Sequence, residues 1–181
     1  MNTYDFTIVA SGLTPDDPGF DQVFYDAGCD DAVLAFQRGR IVLDFSREAK
    51  SFTHAVVSAI EDVTRVGVRI ERVEPDCLVS LTDIAARSDL TKAAVSNYAL
   101  GKRARDFPAP IARITSETPL WDWLEVARWM YRHERVGISA VIEARSVKAL
   151  NDLAAQRAEF TGITAETLYR ATRSKRSFAD A

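Results

Sequence analysis

Between Leu81 and Tyr98 the apolar residues recur at the spacing that two short helices crossing at a tight turn require, and this constrains the fold more than any other stretch. Ile84 and Ala85 point inward from the first helix, Leu90 plugs the corner, and Val95 and Tyr98 line the inner side of the second. Thr91 is a good N-cap for that second helix. Lys92, Ala93, Ser96 and Asn97 are left facing outward, all residue types able to meet a base edge or a phosphate.

Directly after this pair, Gly101 ends the second helix and Lys102, Arg103 and Arg105 follow it, placed to contact phosphates. Residues 110–115 and 120–123 read as a short hairpin across Ser116 to Pro119, with Arg113 placed for a further backbone contact. Trp123, Val126, Ala127 and Met130 then keep helical spacing, which makes Trp121, Trp123 and Trp129 core residues rather than a stacking platform for bases. His54 and His133 have no partner pattern for a metal or a nucleophile and read as surface or packing residues.

The two helices resemble the helix-turn-helix of the excisionase, AlpA and MerR-like group of DNA-binding proteins. The resemblance covers residues 78 to 132: Phe107-Pro-Ala-Pro110 is similar to that group's entry to a wing, and Trp121, Glu125, Val126 and Trp129 to its closing helix. One departure is Asp89, where the group usually has Gly at the turn; Asp tolerates a left-handed backbone, so the turn stays feasible. The resemblance implies a winged helix-turn-helix that binds double-stranded DNA, with the N-terminal part of the second helix in the major groove. The expected DNA-binding residues are Thr91, Lys92, Ala93, Ser96, Asn97, Lys102, Arg103, Arg105 and Arg113.

With 181 residues, 47% hydrophobic and 27% charged, the chain suits two small domains. A formal charge of -3 is unexpected for a DNA-binding protein until it is divided along the chain. Residues 1–76 hold 14 acidic and 7 basic side chains, a net -7, whereas residues 77–181 hold 12 and 16, a net +4. Phosphate repels the first part and attracts the second. Glu74-Pro-Asp76 marks the boundary, because Pro75 cannot continue a strand ladder.

Residues 1–76 alternate clearly. Residues 4–10 read as a strand, 18–27 as a helix stopped by Gly28, and 31–37 and 40–46 as strands of a tight hairpin with Gly39 left-handed. Residues 51–66 carry Phe52, Ala55, Val56, Ala59, Ile60 and Val63 at helical spacing, and 68–73 return to a two-residue period. The order β-α-β-β-α-β predicts a ferredoxin-like domain over residues 1–76, an antiparallel sheet with both helices on one face. Val9 and Val42 fall on the second face, and partial covering of that face by another surface is expected.

Such a topology supports no activity by itself. An acylphosphatase-like enzyme needs an anion cradle and an Arg after the first strand, where Ser11 to Asp17 offers two carboxylates and no base. An RNA-recognition sheet needs basic residues beside its aromatics, and this domain is strongly acidic. What remains is dimerisation, docking of a protein partner or sensing of a small-molecule effector. No catalytic constellation, metal cluster or cofactor motif is expected.

Beyond Val136 the apolar residues Ile138, Val141, Ile142, Val147, Leu150, Leu153 and Ala154 form a helical stripe up to Phe160, broken by Gly162, and a second helix begins near Thr164. This segment, residues 134–181, is expected to hold a homodimer and to end in a basic tail, Arg170 to Arg176, able to touch DNA. No apolar run approaches the ~20 residues of a membrane span. With no signal-peptide pattern at Met1 and no metal-ligand spacing around Cys29 and Cys77, a cytoplasmic location and two reduced thiols are expected.

The fold expected is therefore α+β: a ferredoxin-like domain, a winged helix-turn-helix over residues 77–133, and C-terminal helices. The expected function is sequence-specific transcriptional regulation by a homodimer. Two alternatives stand beside it: an antitoxin-like or phage-defence adaptor with autoregulatory DNA binding, and a small-molecule-responsive regulator.

Overall fold

The computed structural model describes residues 1–156, 164 and 166–168. It is mixed α+β, and it divides into two compact units: Met1–Pro75 together with the described residues from Ser146 onward, and Asp76–Arg145.

In the first unit the elements follow the order β1 (Asn2–Ser11), α1 (Phe20–Asp26), β2 (Ala32–Gln37), β3 (Arg40–Ala49), α2 (Phe52–Arg65) and β4 (Arg69–Glu74). The sheet is antiparallel with spatial order β2-β3-β1-β4. Its two-residue period is visible in the register: Phe6 lies opposite Phe45, Ile8 opposite Leu43 and Ala10 opposite Ile41, and all six are buried. Asp5, Thr7 and Val9 alternate onto the other face, where Thr7 Oγ1 donates to Asp44 (2.6 Å) and Ser46 Oγ to Asp5 (2.7 Å). Val9 opposes Val42 there, and both are half-buried.

The β2–β3 turn is as tight as expected, and both its residues are left-handed, Arg38 (φ 52°) as well as Gly39 (φ 76°), as a type I′ turn requires. Helix α2 buries Phe52, Ala55, Val56, Val57, Ala59, Ile60 and Val63, the Phe, Val and Ile side chains each stabilising by on the order of 1.5–3 kcal/mol, and packs on β1, β3 and β4. Ser51 caps it.

One buried charge breaks the apolar pattern. Arg47 continues the inward series Ile41, Leu43, Phe45 on β3, and its guanidinium meets Asp31 at two points (2.7 and 2.8 Å), Asp62 (2.6 Å), Ser58 (3.2 Å) and the Gly28 carbonyl (2.8 Å). It also lies 4.9 Å over the Phe45 ring. Burial alone would lower the Arg47 pKa; the hydrogen bonds it donates to Asp31 and Asp62 reverse that and raise it. Cys29 sits beside this group, and burial first, then the Asp62 charge, pushes its thiol up to about 11.

The second unit comprises β5 (Leu78–Val79), α3 (Leu81–Arg87), α4 (Lys92–Ala99), β6 (Trp121–Asp122), α5 (Trp123–Arg132) and the start of α6 (Ile138–Ala155). Its core is built on Val79, Ile84, Val95, Trp121, Trp129 and Met130. Val141 and Ala144 of α6 join that cluster, and from Ser146 the helix belongs to the first unit.

The apolar stripe of α6 corrects one expectation. Val147, Leu150 and Ala154 are buried within the chain, Leu150 completely, so the stripe is not free to hold a second copy. The same stretch is fixed by polar contacts: Ser146 Oγ pairs with Thr53 Oγ1 (3.0 Å), and the Asn151 side chain accepts from Val73 N–H (2.7 Å) and donates to Val73 C=O (2.9 Å). Among the described residues of the stripe, only Ile138 and Ile142 stay exposed. At the expected second helix, Thr164 Oγ1 accepts from Thr167 N–H (3.1 Å) and Leu168 is buried. Phe160, Gly162 and the basic tail lie outside the described residues. Among the described residues no helix is long and apolar enough to cross a membrane.

Candidate nucleic-acid interface

Helix α3 starts on a reciprocal cap: Ser80 Oγ accepts from Asp83 N–H (3.3 Å) while Asp83 Oδ2 accepts from Ser80 N–H (2.8 Å). Ser80 Oγ also donates to Asp83 Oδ2 (2.7 Å), and that bond first, then the one from Ser80 N–H, holds the Asp83 carboxylate below its ordinary pKa. The helix ends at Ser88, and Asp89 takes the left-handed conformation (φ 52°), which lets Leu90 N–H donate back to Ala85 C=O (3.0 Å). Leu90 thereby reaches the core that also holds Ile84, Ala85, Val95 and Tyr98. All five inward positions contribute to one cluster.

Thr91 then caps α4, its Oγ1 accepting from Ala94 N–H (3.1 Å). Thr91, Lys92 and Ala93 are exposed, but Ser96 and Asn97 are half-buried. A backbone feature accounts for the difference. Gly101 turns left-handed (φ 68°), and the N–H groups of Lys102 (2.9 Å) and Arg103 (3.3 Å) both donate to Asn97 C=O, folding the loop back over the last turn of α4. The Asn97 side chain itself has no hydrogen-bond partner among the described residues.

The loop from Lys102 to Phe107 is held at three places. Asn97 C=O fixes its start, Ala104 packs against the unit's core, and Phe107 closes an aromatic group with Tyr98 (6.2 Å) and Trp129 (5.0 Å). Asp106 lies against His133 (3.4 Å), whose ring is 4.0 Å from that of Trp129. Among the described residues the Trp129 indole N–H meets no partner of ordinary hydrogen-bond geometry; that N–H first, and then His133, holds the Asp106 carboxylate below its ordinary pKa. Lys102, Arg103 and Arg105 project from this held loop and are exposed. His133 was expected at the surface or in packing, and here it does both.

The expected hairpin is much reduced. Only Ala112 and Leu120 bridge, with Leu120 N–H donating to Ala112 C=O (2.9 Å), while Trp121 and Asp122 pair instead with Val79 and Leu78 of β5, and Trp123 already begins α5. Arg113 sits at the tip, exposed and left-handed (φ 50°), its carbonyl accepting from Ser116 (2.9 Å). Trp121 Nε1 donates to Pro108 C=O (3.0 Å) and so ties the segment after the basic loop to β6. Arg87 lies 5.2 Å over the Trp123 ring, its pKa lowered by burial. All three tryptophans are buried.

Among the nine candidate residues the structure therefore gathers two groups. Thr91, Lys92, Ala93, Ser96 and Asn97 lie on α4 and its cap, and Lys102, Arg103 and Arg105 follow on the loop that Asn97 anchors, while Arg113 stands apart on its own turn. The signals that sequence reading passed over are Ser80 and Asp83, a cap pattern, and Asp106 with His133, which steady the loop. Among the described residues no group of His, Cys, Asp and Glu could hold a metal ion. Compared with protein-family models, curated proteins and solved structures, the chain matches none.

Proposed function

We propose that the second unit is a winged helix-turn-helix that binds double-stranded DNA in a sequence-specific way, and that the chain acts as a transcriptional regulator without catalysis. The observation that carries this is the continuity of α4 with a fixed cationic loop. A short capped helix with Lys92 at its start runs into a loop that carries three exposed cations and whose first two residues, Lys102 and Arg103, donate their backbone N–H groups to Asn97 C=O. An N-terminal helix end suits a major groove, and a preformed cationic loop suits the flanking phosphates, because neither has to be ordered on binding.

In this reading the turn around Arg113 is a short wing, and the first unit, whose strand order is that of a split βαβ, is a ferredoxin-like domain. The intact chain works as a homodimer. The test is selection from random-sequence duplex DNA with the full chain. A shared motif should be enriched, and its affinity should exceed that for random duplex by at least about a thousandfold. No enrichment, or equal affinity for all duplexes, sinks the proposal.

A second reading keeps the DNA binding but assigns the first unit to a protein partner, as in an antitoxin-like or phage-defence adaptor. What favours it is the sheet's polar face, where Asp5, Asp44 and Glu48 are exposed. A third, effector sensing, has an open cleft of about 530 Å³ lined by Pro15, Asp17, Phe20, Gln22 and Phe36.

A further inference from the structure

The two edges of the four-stranded sheet are treated very differently. Strand β4 carries Arg69, Glu71, Arg72 and Glu74, its pairing to β1 shifts register between Val9 and Ala10, and Asn151 occupies both backbone groups of Val73. Charges, a bulge and a covering side chain are the usual means of keeping an edge from recruiting another strand. Strand β2, Ala32–Gln37, has none of them: no charge, no proline, and among the described residues its outer side is occupied only at its first residue, where Ala32 N–H donates to Cys29 C=O (3.1 Å).

The direction of its free backbone groups can be read from the ladder. Asp31 C=O accepts from Ser46 N–H (3.1 Å), and Gln37 opposite Arg40 closes a two-residue turn. Asp31, Val33, Ala35 and Gln37 therefore turn their backbone groups toward β3, and Leu34 and Phe36 turn theirs to the open side. Exposed apolar side chains gather in the same place. Apart from Met1, every large hydrophobic exposed within residues 1–75 lies on α1 or β2: Val23, Tyr25, Val33 (70% exposed) and Phe36.

We infer that β2 pairs antiparallel with β2 of a second copy of this chain, joining two sheets into one of eight strands. Charge selects a second copy as the occupant. The strand is acidic before its start, at Asp30, and basic after its end, at Arg38 and Arg40, and all three are exposed. A two-fold axis pairs Leu34 with Leu34 or with Phe36 of the second copy, the registers centred on the strand that the free groups allow; the first sets Asp30 opposite Arg38, and the second brings it to the β2–β3 turn that Arg38 and Arg40 flank. Like charges are thus kept apart at both ends, and the uncharged middle pairs with itself. The inference stands whether or not the second unit binds DNA.

The test is sedimentation velocity on the full chain without DNA, at low salt. The wild type should sediment as a dimer. D30R combined with V33K should sediment as a monomer with an unchanged circular dichroism spectrum, as both positions are exposed. R38D with R40D should also give a monomer, and adding D30R to that pair should restore the dimer by reversing both charges. A wild type that is monomeric at high micromolar concentration overturns the inference and leaves the edge to a strand of another protein. A dimer indifferent to the charge reversals overturns it equally, by placing self-association elsewhere.

Discussion

Arg47 and Asp31 are joined at both ends of their planar groups, Nε to Oδ2 at 2.7 Å and Nη2 to Oδ1 at 2.8 Å, and through Asp62 the same guanidinium ties β3 to α2. Removing it leaves the Asp31 carboxylate and the Gly28 carbonyl without their cation, and Asp62 with Arg65 alone (2.7 Å). Arg47→Met should cost on the order of 3–5 kcal/mol of unfolding free energy in urea titrations. A cost within the scatter of surface substitutions would mean that water replaces the guanidinium at no penalty.

The thiol beside that group gives a pH-dependent prediction. Cys29 has its pKa raised from 9.0 to about 11, so the folded state holds the proton more tightly than the unfolded one. Its contribution is fully present below pH 9.0 and is lost as pH rises toward about 11. Cys29→Ala should flatten the decline of stability across that window. At pH 8 a thiol reagent should label Cys29 only after denaturation, and rapid labelling of Cys29 in the native chain would contradict this.

Base readout is expected at Asn97. Asn97→Ala should weaken binding to the selected duplex by ~1–3 kcal/mol and to random duplex very little. Equal losses on both would show that Asn97 serves the fold, through its place beside the loop, rather than the sequence preference.

Phosphate contact is expected of Lys102, Arg103 and Arg105. Replacing any one by Ala should weaken binding to every duplex and make the slope of log affinity against log salt shallower by about one. Slopes unchanged in all three variants would exclude the loop from the interface.

The turn of the helix pair carries a small strain. Asp89 is exposed and left-handed, a conformation that costs most side chains roughly 1–2 kcal/mol and Asp less. Asp89→Gly should stabilise the chain by under about 1 kcal/mol, since the freer unfolded backbone offsets part of the gain. Differential scanning calorimetry checks the sign; a lower Tm would mean that the Asp89 side chain holds the turn.

What could be read from the sequence follows how locally each feature is encoded. The strands and α2 announced themselves by period, and Gly39 and Gly67 by the left-handed turns they make at φ 76° and 84°. Arg47 was overlooked although its signal was present: it is the next odd-numbered residue after Ile41, Leu43 and Phe45, so a two-residue period places it inside. The pairing of β6 with β5 had no such signal, because two residues define no period. The half-burial of Asn97 is set by hydrogen bonds to its carbonyl, and a carbonyl is the same in every residue. The stripe on α6 was visible, but apolar spacing says that a face is covered and not by what.

Asn151 changes what kind of monomer this sheet is, in the sense a polymer chemist gives the word. A sheet bare at both edges is bifunctional: each copy can accept a neighbour on either side, and growth by strand pairing has no natural end. With Val73 occupied by an amide from its own chain, the β2 edge is the one left open among the described residues, and under the pairing proposed above the sheet is monofunctional. A monofunctional unit that couples to its like is consumed in the coupling, so association stops at a pair instead of running on into a filament.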